Sequence, residues 1–326
     1  MARLNMVDAI DQALQQAMDR DPKMVIMGED VGRDGGVFRV TDGLIQRFGD
    51  QRVIDTPLAE SGIVGMAIGM AIAGYHPVAE IQFSGFVYPA YDQLVCHAAR
   101  MRNRSRGEFT VPLVVRMPYG GGIRALEHHS ESMEAVFAHV PGLKVVIPAD
   151  PYEAKGLLSA ALADPDPVVF FEPARVYRAI KTEVPEEPYT IPLGKARVVQ
   201  EGTDLTLIAW GAHVRTIKDA AQKLEAEAVA KAEVIDVRTL SPFDYETVVA
   251  SVRKTGRAII VHEAPRSCGF GAEISAQIME RAVLHLEAPV VRITGFDTMP
   301  PLGRLEDYYQ PDAGMVVDAA KALLKF

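Results

Sequence analysis

The stretch DTPLAESGIVGMAIGMAIAG, Asp55 to Gly74, governs how the rest of the chain is read. A short strand pattern, Arg52 to Asp55, turns through Pro57. One carboxylate, Glu60, then opens a helix made almost wholly of Gly, Ala, Ile, Val and Met. Gly62, Gly65 and Gly69 let another backbone come close, and no polar face is left. Most solitary helices keep such a face, so this one is expected to be buried on all sides, within the core or beneath a partner subunit. Two effects then compete at Glu60. The helix N-terminus favours the carboxylate by at most about 2 kcal/mol, whereas full burial opposes it by about 3–5 pKa units. Burial wins unless a cation or donor faces the group, leaving a carboxyl able to share a proton with a ligand nitrogen. The plainer alternative is a cap box, with Glu60 tying off backbone N–H groups.

Outward from this stretch, short apolar runs alternate with helical patterns. Strands are expected at Lys23–Glu29, Arg52–Thr56, His76–Phe83, Val111–Pro118, Leu143–Ala149 and Asp166–Pro173, with helices such as Tyr91–Arg104 and Tyr152–Ala163 between them. This alternation predicts a doubly wound, largely parallel sheet buried on both faces. From Glu183 the text turns to EVPEEPYTIPLG, rich in Pro and Glu, which reads as a linker. A second series follows, with strands at Asp204–Gly211, Ala232–Leu240, Gly256–Ala264 and Ala288–Gly295, and Ser241–Pro242 reads as a helix start. The fold class is therefore α/β with two doubly wound domains, 1–185 and 195–326, joined by a linker over 186–194.

The 326 residues suit two domains of about 150 residues each. A hydrophobic fraction of 48% and a charged fraction of 24% are those of an ordinary globular protein. The net charge of −9 argues against nucleic acid as a partner. Arg100, Arg102, Arg104 and Arg106 do cluster, as a solvated helix end or a phosphate or protein contact. Two distant cysteines, Cys96 and Cys268, suit a reducing compartment. The N-terminal segment reads as an amphipathic helix ending near Pro22 rather than a signal peptide, and no run approaches the roughly 20 apolar residues of a membrane span. A cytoplasmic protein is expected.

The familiar dinucleotide, phosphate-loop, serine-hydrolase and zincin motifs are missing. Gly120–Gly122, after a strand, reads as a flexible or close-approach loop rather than an anion cradle, and CGFG at Cys268–Gly271 is equally weak. His128, His129 and His139 gather in ALEHHSESMEAVFAH. No further ligands at metal spacing accompany them. They belong either to a polar loop leading into a helix capped by Ser130 or Ser132, or to an imidazole at a cleft poised for proton transfer.

Six blocks then carry a resemblance: GEDVGRDGGVFRVTDGL (Gly28–Leu44), DTPLAESGIVGMAIG (Asp55–Gly69), PVAEIQFSGFVYPAYDQL (Pro77–Leu94), HHSES (His128–Ser132), PYEAKGLL (Pro151–Leu158) and DPVVFFEP (Asp166–Pro173). With EVIDVRTLSPFD and GFDTMPP further on, they resemble, essentially end to end, the β subunit of the decarboxylating component of 2-oxo acid dehydrogenase complexes. That family is transketolase-like and includes pyruvate and branched-chain enzymes. The resemblance implies an N-terminal pyrimidine-binding domain, a C-terminal α/β domain, and a heterotetramer of two α and two β chains. Thiamine diphosphate would be shared with the α subunit, which holds the diphosphate and Mg²⁺ through a Gly-Asp-Gly … Asn motif. RDGG at Arg33–Gly36 cannot supply it, since no Asn lies between Asn5 and Asn103; no Mg²⁺ ligands are expected in this chain.

Residue by residue, the resemblance makes Glu60 the carboxyl that meets the N1′ nitrogen of the aminopyrimidine and favours its imino tautomer. Phe86 would stack on that ring. Glu29, Leu58, Ala59, Gln82, Val87, Tyr88 and Pro89 would line the pocket, and Phe83, Ser84, Gly85 and Phe86 would face the substrate. His129, with His128 as its neighbour, would position substrate or supply a proton when the acyl group passes to lipoamide. A K⁺ site would use carbonyls of Leu113, Ala161 and Leu162 with Asp164 and Asp166, the last replacing a commoner Asn. The implied activity is decarboxylation of a 2-oxo acid and reductive acylation of the lipoyl group of a dihydrolipoyl acyltransferase, whose subunit-binding domain would dock near the C-terminal AAKALLKF. FSGF leans towards pyruvate-type relatives and GFDT towards branched-chain ones. An acetoin dehydrogenase β subunit or another transketolase-like enzyme, and a non-catalytic assembly subunit, stand as alternatives.

Overall fold

Six parallel strands form the sheet of the first unit, in the spatial order Lys144–Val146, Val168–Pro173, Val114–Tyr119, His76–Glu80, Met24–Gly28 and Val53–Asp55. The computed structural model describes residues 1–326. Val114–Tyr119 and Val168–Pro173 are buried at every position, as expected for strands covered by helices on both faces. The helix Met6–Arg20 is capped by Asn5, whose side chain accepts the Asp8 N–H at 3.0 Å, and buries one stripe from Met6 to Met18. It packs on the helix Pro151–Leu162. That helix starts with a proline in its first turn and an Asp150 cap on the Glu153 N–H at 2.8 Å.

Three neighbouring strands each carry one ion inside an apolar run. Arg116, 1% exposed, donates through Nε and Nη2 to the two carboxylate oxygens of Glu172 at 2.7 and 2.8 Å, and through Nη1 to Glu80. The Tyr177 hydroxyl donates to Glu172 as well. Burial opposes the Arg116 charge, but the two carboxylates hold it protonated. A bidentate arrangement of this kind, in which all three guanidinium nitrogens donate, offsets the desolvation of its members.

The expected helix over Tyr91–Arg104 is an irregular succession: an α-turn at Tyr88–Asp92, a wide π-turn at Gln93–His97, a tight turn at Ala98–Arg100 and a last turn at Met101–Arg104. The Pro/Glu-rich stretch read as a linker lies against the first unit. Lys155 Nζ donates to the carbonyls of Pro185, Glu186 and Glu187, and Tyr189 stacks on Tyr152 with ring centroids 4.8 Å apart.

The second unit has a five-stranded sheet in the order Val291–Gly295, Ala258–Pro265, Leu205–Ala209, Ala232–Asp236 and Arg197–Gln200, parallel except for its last edge strand. Ser241 ends a short strand; the following helix, Tyr245–Thr255, is capped instead by Asp244, with Gly256 in the left-handed conformation at its C-terminus. By their contacts, Met1–Tyr119 and Val136–Leu193 make up the first unit, and Gly120–Ala135 with Gly194–Phe326 the second. The histidine-bearing loop thus belongs to the second unit. No helix is long and apolar enough to cross a membrane.

Candidate active site

The strand Val53–Asp55 delivers its last residue to a loop it must hold. Asp55 accepts the N–H groups of Gly32 at 2.6 Å and Arg33 at 3.1 Å, and the Thr56 N–H returns to the Gly28 carbonyl at 2.9 Å. Thr41 Oγ1 fixes the same loop by donating to the Val31 carbonyl at 2.7 Å. A side chain at Gly32 would strike the Asp55 carboxylate, with 2.9 Å from an added Cβ to its oxygens. Two sequence blocks, GEDVGRDGG and DTPLAES, are therefore one structural feature.

Glu60 is the first residue of the helix Glu60–Ile72; Ala59 occupies the cap position, and no side chain caps the helix. The cap-box reading is not realised. Nor is the helix buried all round in this chain. Ile63, Val64, Ala67, Ile68 and Ala71 face the core, while Ser61, Gly62, Met66 (46% exposed) and Gly69 are open. Glu60 is itself partly exposed, so this chain alone does not keep it dry. An all-apolar helix composition cannot distinguish a core from a face awaiting a partner; of the two expectations, burial within the chain's own core is overturned.

Glu29 stands beside this carboxyl. Its own burial, then the charges of Glu60 and Asp30, hold Glu29 above the ordinary glutamate range. Gln82 Nε2 donates to Asp30 at 3.2 Å, tying the next strand's end to the same acidic cluster. Phe83 packs edge-on against Phe86, centroids 5.8 Å apart, and against Phe38 at 5.5 Å. Phe86 is partly exposed; Leu58 (78%), Ala59, Tyr88 (52%) and Pro89 lie open. Val87 is fully buried, and Phe83, Ser84 and Gly85 are buried in or beside the turn Ser84–Phe86. The sequence placed Val87 on the cofactor pocket and the other three towards substrate; in this chain all four are buried.

In the second unit, His128 and His129 sit on a single 3₁₀ turn, Glu127–His129, closed by the His129 N–H on the Leu126 carbonyl at 2.9 Å. His129 is partly exposed; His128, with its side chain 54% exposed, has Nδ1 3.8 Å from Glu131. Beneath the loop lies a polar cluster that sequence reasoning missed. Glu263 accepts the Gly121 N–H at 2.7 Å and Gln310 Nε2 at 3.0 Å, and has His213 Nε2 3.7 Å away. Glu306 accepts the N–H groups of Gly122 and, at 2.8 Å, Arg124. Buried Glu134 accepts from Trp210 Nε1 at 3.2 Å; burial, reinforced by the Glu263 charge, pushes its carboxyl up to about 7. The triple glycine is thus a close-approach loop: an added Cβ at Gly120 would lie 2.5 Å from Glu263 Oε1. The signal was present in AIIVHEAP, where His262 and Glu263 interrupt an otherwise apolar buried strand, but the Gly121 partner of Glu263 lies 142 residues away.

Four of the residues expected to hold K⁺ have partners within the chain. Asp164 accepts from Lys144 Nζ at 2.6 Å, Asp166 from Arg102 Nε at 2.6 Å, and the carbonyls of Leu113 and Ala161 accept the N–H groups of Val168 and Asp164 at 2.9 and 3.2 Å. Each of the two carboxylates is thus paired with a cation of the chain.

Glu29 and Glu60 are two interacting carboxyls of this unit, and Phe86, Leu58, Ala59, Tyr88 and Pro89 are open or partly open on it. Comparison with known proteins defines the class. Residues 2–179 match the transketolase pyrimidine-binding domain and residues 194–316 the transketolase C-terminal domain. A solved split-gene transketolase, described as an inactive β4 tetramer, shares the fold with a TM-score of 0.81 at 23% identity, over 99% of both chains. The chain belongs to the family of pyruvate dehydrogenase E1 β subunits, within the transketolase-like proteins. It is 56% identical to that subunit of Acholeplasma laidlawii, over 100% of this chain and 99% of the relative, and 50% identical to that of Bacillus subtilis strain 168 over the full length of both.

Proposed function

We propose that this chain is the β subunit of a cytoplasmic heterotetrameric 2-oxo acid dehydrogenase, acting on pyruvate and passing the acyl group to the lipoyl domain of a dihydrolipoyl acyltransferase. The observation that carries the reading is end-to-end identity of 56% and 50% to pyruvate dehydrogenase E1 β subunits. Thiamine diphosphate, when bound, supplies the electron sink for decarboxylation. The α subunit would hold its diphosphate and Mg²⁺. In this chain, Glu60 would share a proton with the aminopyrimidine N1′ nitrogen, and the partner covering the open face of its helix would exclude water from that proton. Glu29, raised by its own burial and by Glu60, would form part of the acidic lining of the pocket. Phe86 would stack on the ring, with Leu58, Ala59, Tyr88 and Pro89 around it. His129 would orient the substrate or deliver a proton during acyl transfer. The domain roles follow as 1–185 for pyrimidine binding and 195–326 for the C-terminal domain.

The test is co-expression with an α subunit. The pair should reduce a dye acceptor with pyruvate only when thiamine diphosphate and Mg²⁺ are present. In a panel with 2-oxoisovalerate, 4-methyl-2-oxopentanoate and acetoin, pyruvate should give the highest kcat/KM. Full activity from the β chain alone would defeat the shared site, and preference for acetoin would move the chain to that dehydrogenase. A purely docking subunit would leave lipoyl acylation unchanged in His129→Ala while weakening assembly.

A further inference from the structure

The loop that carries His128 and His129 has few backbone bonds of its own. From Gly120 to Ala135 it contains one 3₁₀ turn, Glu127–His129, and closes on itself through the Gly120 N–H to the Glu131 carbonyl at 3.0 Å. Its leading arm is held from outside, by side chains. Three amides, those of Gly121, Gly122 and Arg124, all point to carboxylate oxygens of Glu263 and Glu306. Both acids are buried, at 5% and 2% exposure. A buried carboxylate is costly unless donors surround it, and charge-assisted bonds from backbone N–H groups are among the stronger protein hydrogen bonds. Each partner therefore needs the other: the loop satisfies the acids, and the acids determine the path of the loop.

The fit also explains the glycines. A side chain at Gly120 would collide with Glu263, and one at Gly121 with Glu306 and Gln310. Gly120 and Gly122 have φ of +80° and +91°, and Arg124 is held at +56°, a region that a non-glycine residue adopts at some cost. The exposed Arg124–Asp307 pair at 3.1 Å adds little. Beyond Arg124, only a few residues separate the clamp from the histidine turn.

We propose that Glu306, assisted by Glu263, is a positioning residue that sets the histidine loop for acyl transfer by binding the backbone amides of Gly121, Gly122 and Arg124. The role in acyl transfer rests on the function proposed above; the clamp itself does not. Glu306 touches no substrate in this scheme and acts only through the loop.

The experiment uses the assembled α/β enzyme with thiamine diphosphate and Mg²⁺, comparing wild type, Glu306→Ala and the isosteric Glu306→Gln. Hydrogen exchange at residues 120–125 should quicken by about tenfold or more in Glu306→Ala and by less in Glu306→Gln. The kcat for acylation of a free lipoyl domain should fall by about tenfold or more, and by more than dye-coupled decarboxylation of the 2-oxo acid does. If Glu306→Ala fails to assemble, Glu306→Gln gives the same comparison. Unchanged exchange at 120–125 would overturn the clamp. Equal losses in both half-reactions, with protection lost throughout the second unit, would reduce Glu306 to a structural residue and overturn the positioning role. A wild-type assembly inactive on every 2-oxo acid would sink the assigned reaction instead, and the exchange comparison would still decide the clamp.

Discussion

Asp55 binds the backbone N–H of Gly32 at 2.6 Å, joining the last residue of one strand to the loop that follows its neighbour. The same carboxylate takes the Arg33 N–H at 3.1 Å. Glu29, at the start of that loop, is thereby held in reach of the Glu60 charge. Asp55→Ala leaves two amides without their acceptor and should cost about 2–3 kcal/mol of stability. It should also weaken thiamine diphosphate binding to the α/β enzyme, measured by calorimetry, by about tenfold. Binding at wild-type strength would show that the loop is indifferent to this anchor.

Arg116 has no comparable latitude. Replacing it by Met strands Glu80 and Glu172, both buried, without their cation, a change that costs about 3–5 kcal/mol. Urea unfolding should show this loss, and adding Glu80→Gln and Glu172→Gln to Arg116→Met should recover part of it. A single Arg116→Met variant as stable as wild type would contradict the ion network described for the first unit.

Glu134 predicts a pH dependence with a definite sign. Its carboxyl is raised from 4.5 to about 7, by burial first and then by the Glu263 charge. The folded state therefore holds the extra proton between pH 4.5 and 7, so this group's contribution to stability falls as pH rises through that window and levels off above it. The size is about 3 kcal/mol. His262 slopes the other way: burial, helped by the Arg292 charge, lowers it from 6.5 to about 4, so its contribution is lost as pH falls through that range. Comparing Glu134→Gln with wild type isolates the first effect. The variant should gain on wild type from about pH 5 to about pH 8, and parallel stability curves would refute the assignment.

The open face of the helix Glu60–Ile72 should respond differently in folding and in assembly. Nothing lies within 4 Å of a Cβ added at Gly69, so Gly69→Glu should leave the chain folded, with a helix more favourable by about 1 kcal/mol. The same charge should prevent the α and β chains from assembling, as seen by size-exclusion chromatography. Normal assembly would place the interface elsewhere.

Glu60→Gln separates chemistry from structure. The partly exposed side chain caps nothing, so melting and assembly should not change, while turnover of the 2-oxo acid should fall by about 100-fold or more. Turnover near the wild-type rate would remove proton sharing from the scheme.

Much of this was legible in the chain because local rules write it there. Alternating apolar runs and helical patterns marked both largely parallel sheets, and the helix expected over Tyr152–Ala163 is present as Pro151–Leu162. Glu60 stood out as one ion on an apolar helix. The same cues misled where composition is silent about direction. An all-apolar stretch cannot say which face meets its own core, so burial in the core and burial beneath a partner stood side by side until the outward turn of Gly62, Met66 and Gly69 excluded the first. Ser241–Pro242 looked like a cap, yet Asp244 performs that task three residues later.

By itself, then, the sequence determined the α/β class, the order of the elements and the residue types that could handle a proton, since each depends on neighbours along the chain. Only the tertiary structure decided what each ion faces: Arg116 meets Glu80 and Glu172, Asp55 the Gly32 N–H, and Glu306 the amides of the histidine loop. Such pairs span from 23 to 184 residues. A buried charge is tolerable only where donors or counter-charges converge on it, and convergence is a property of packed elements, not of any stretch of text.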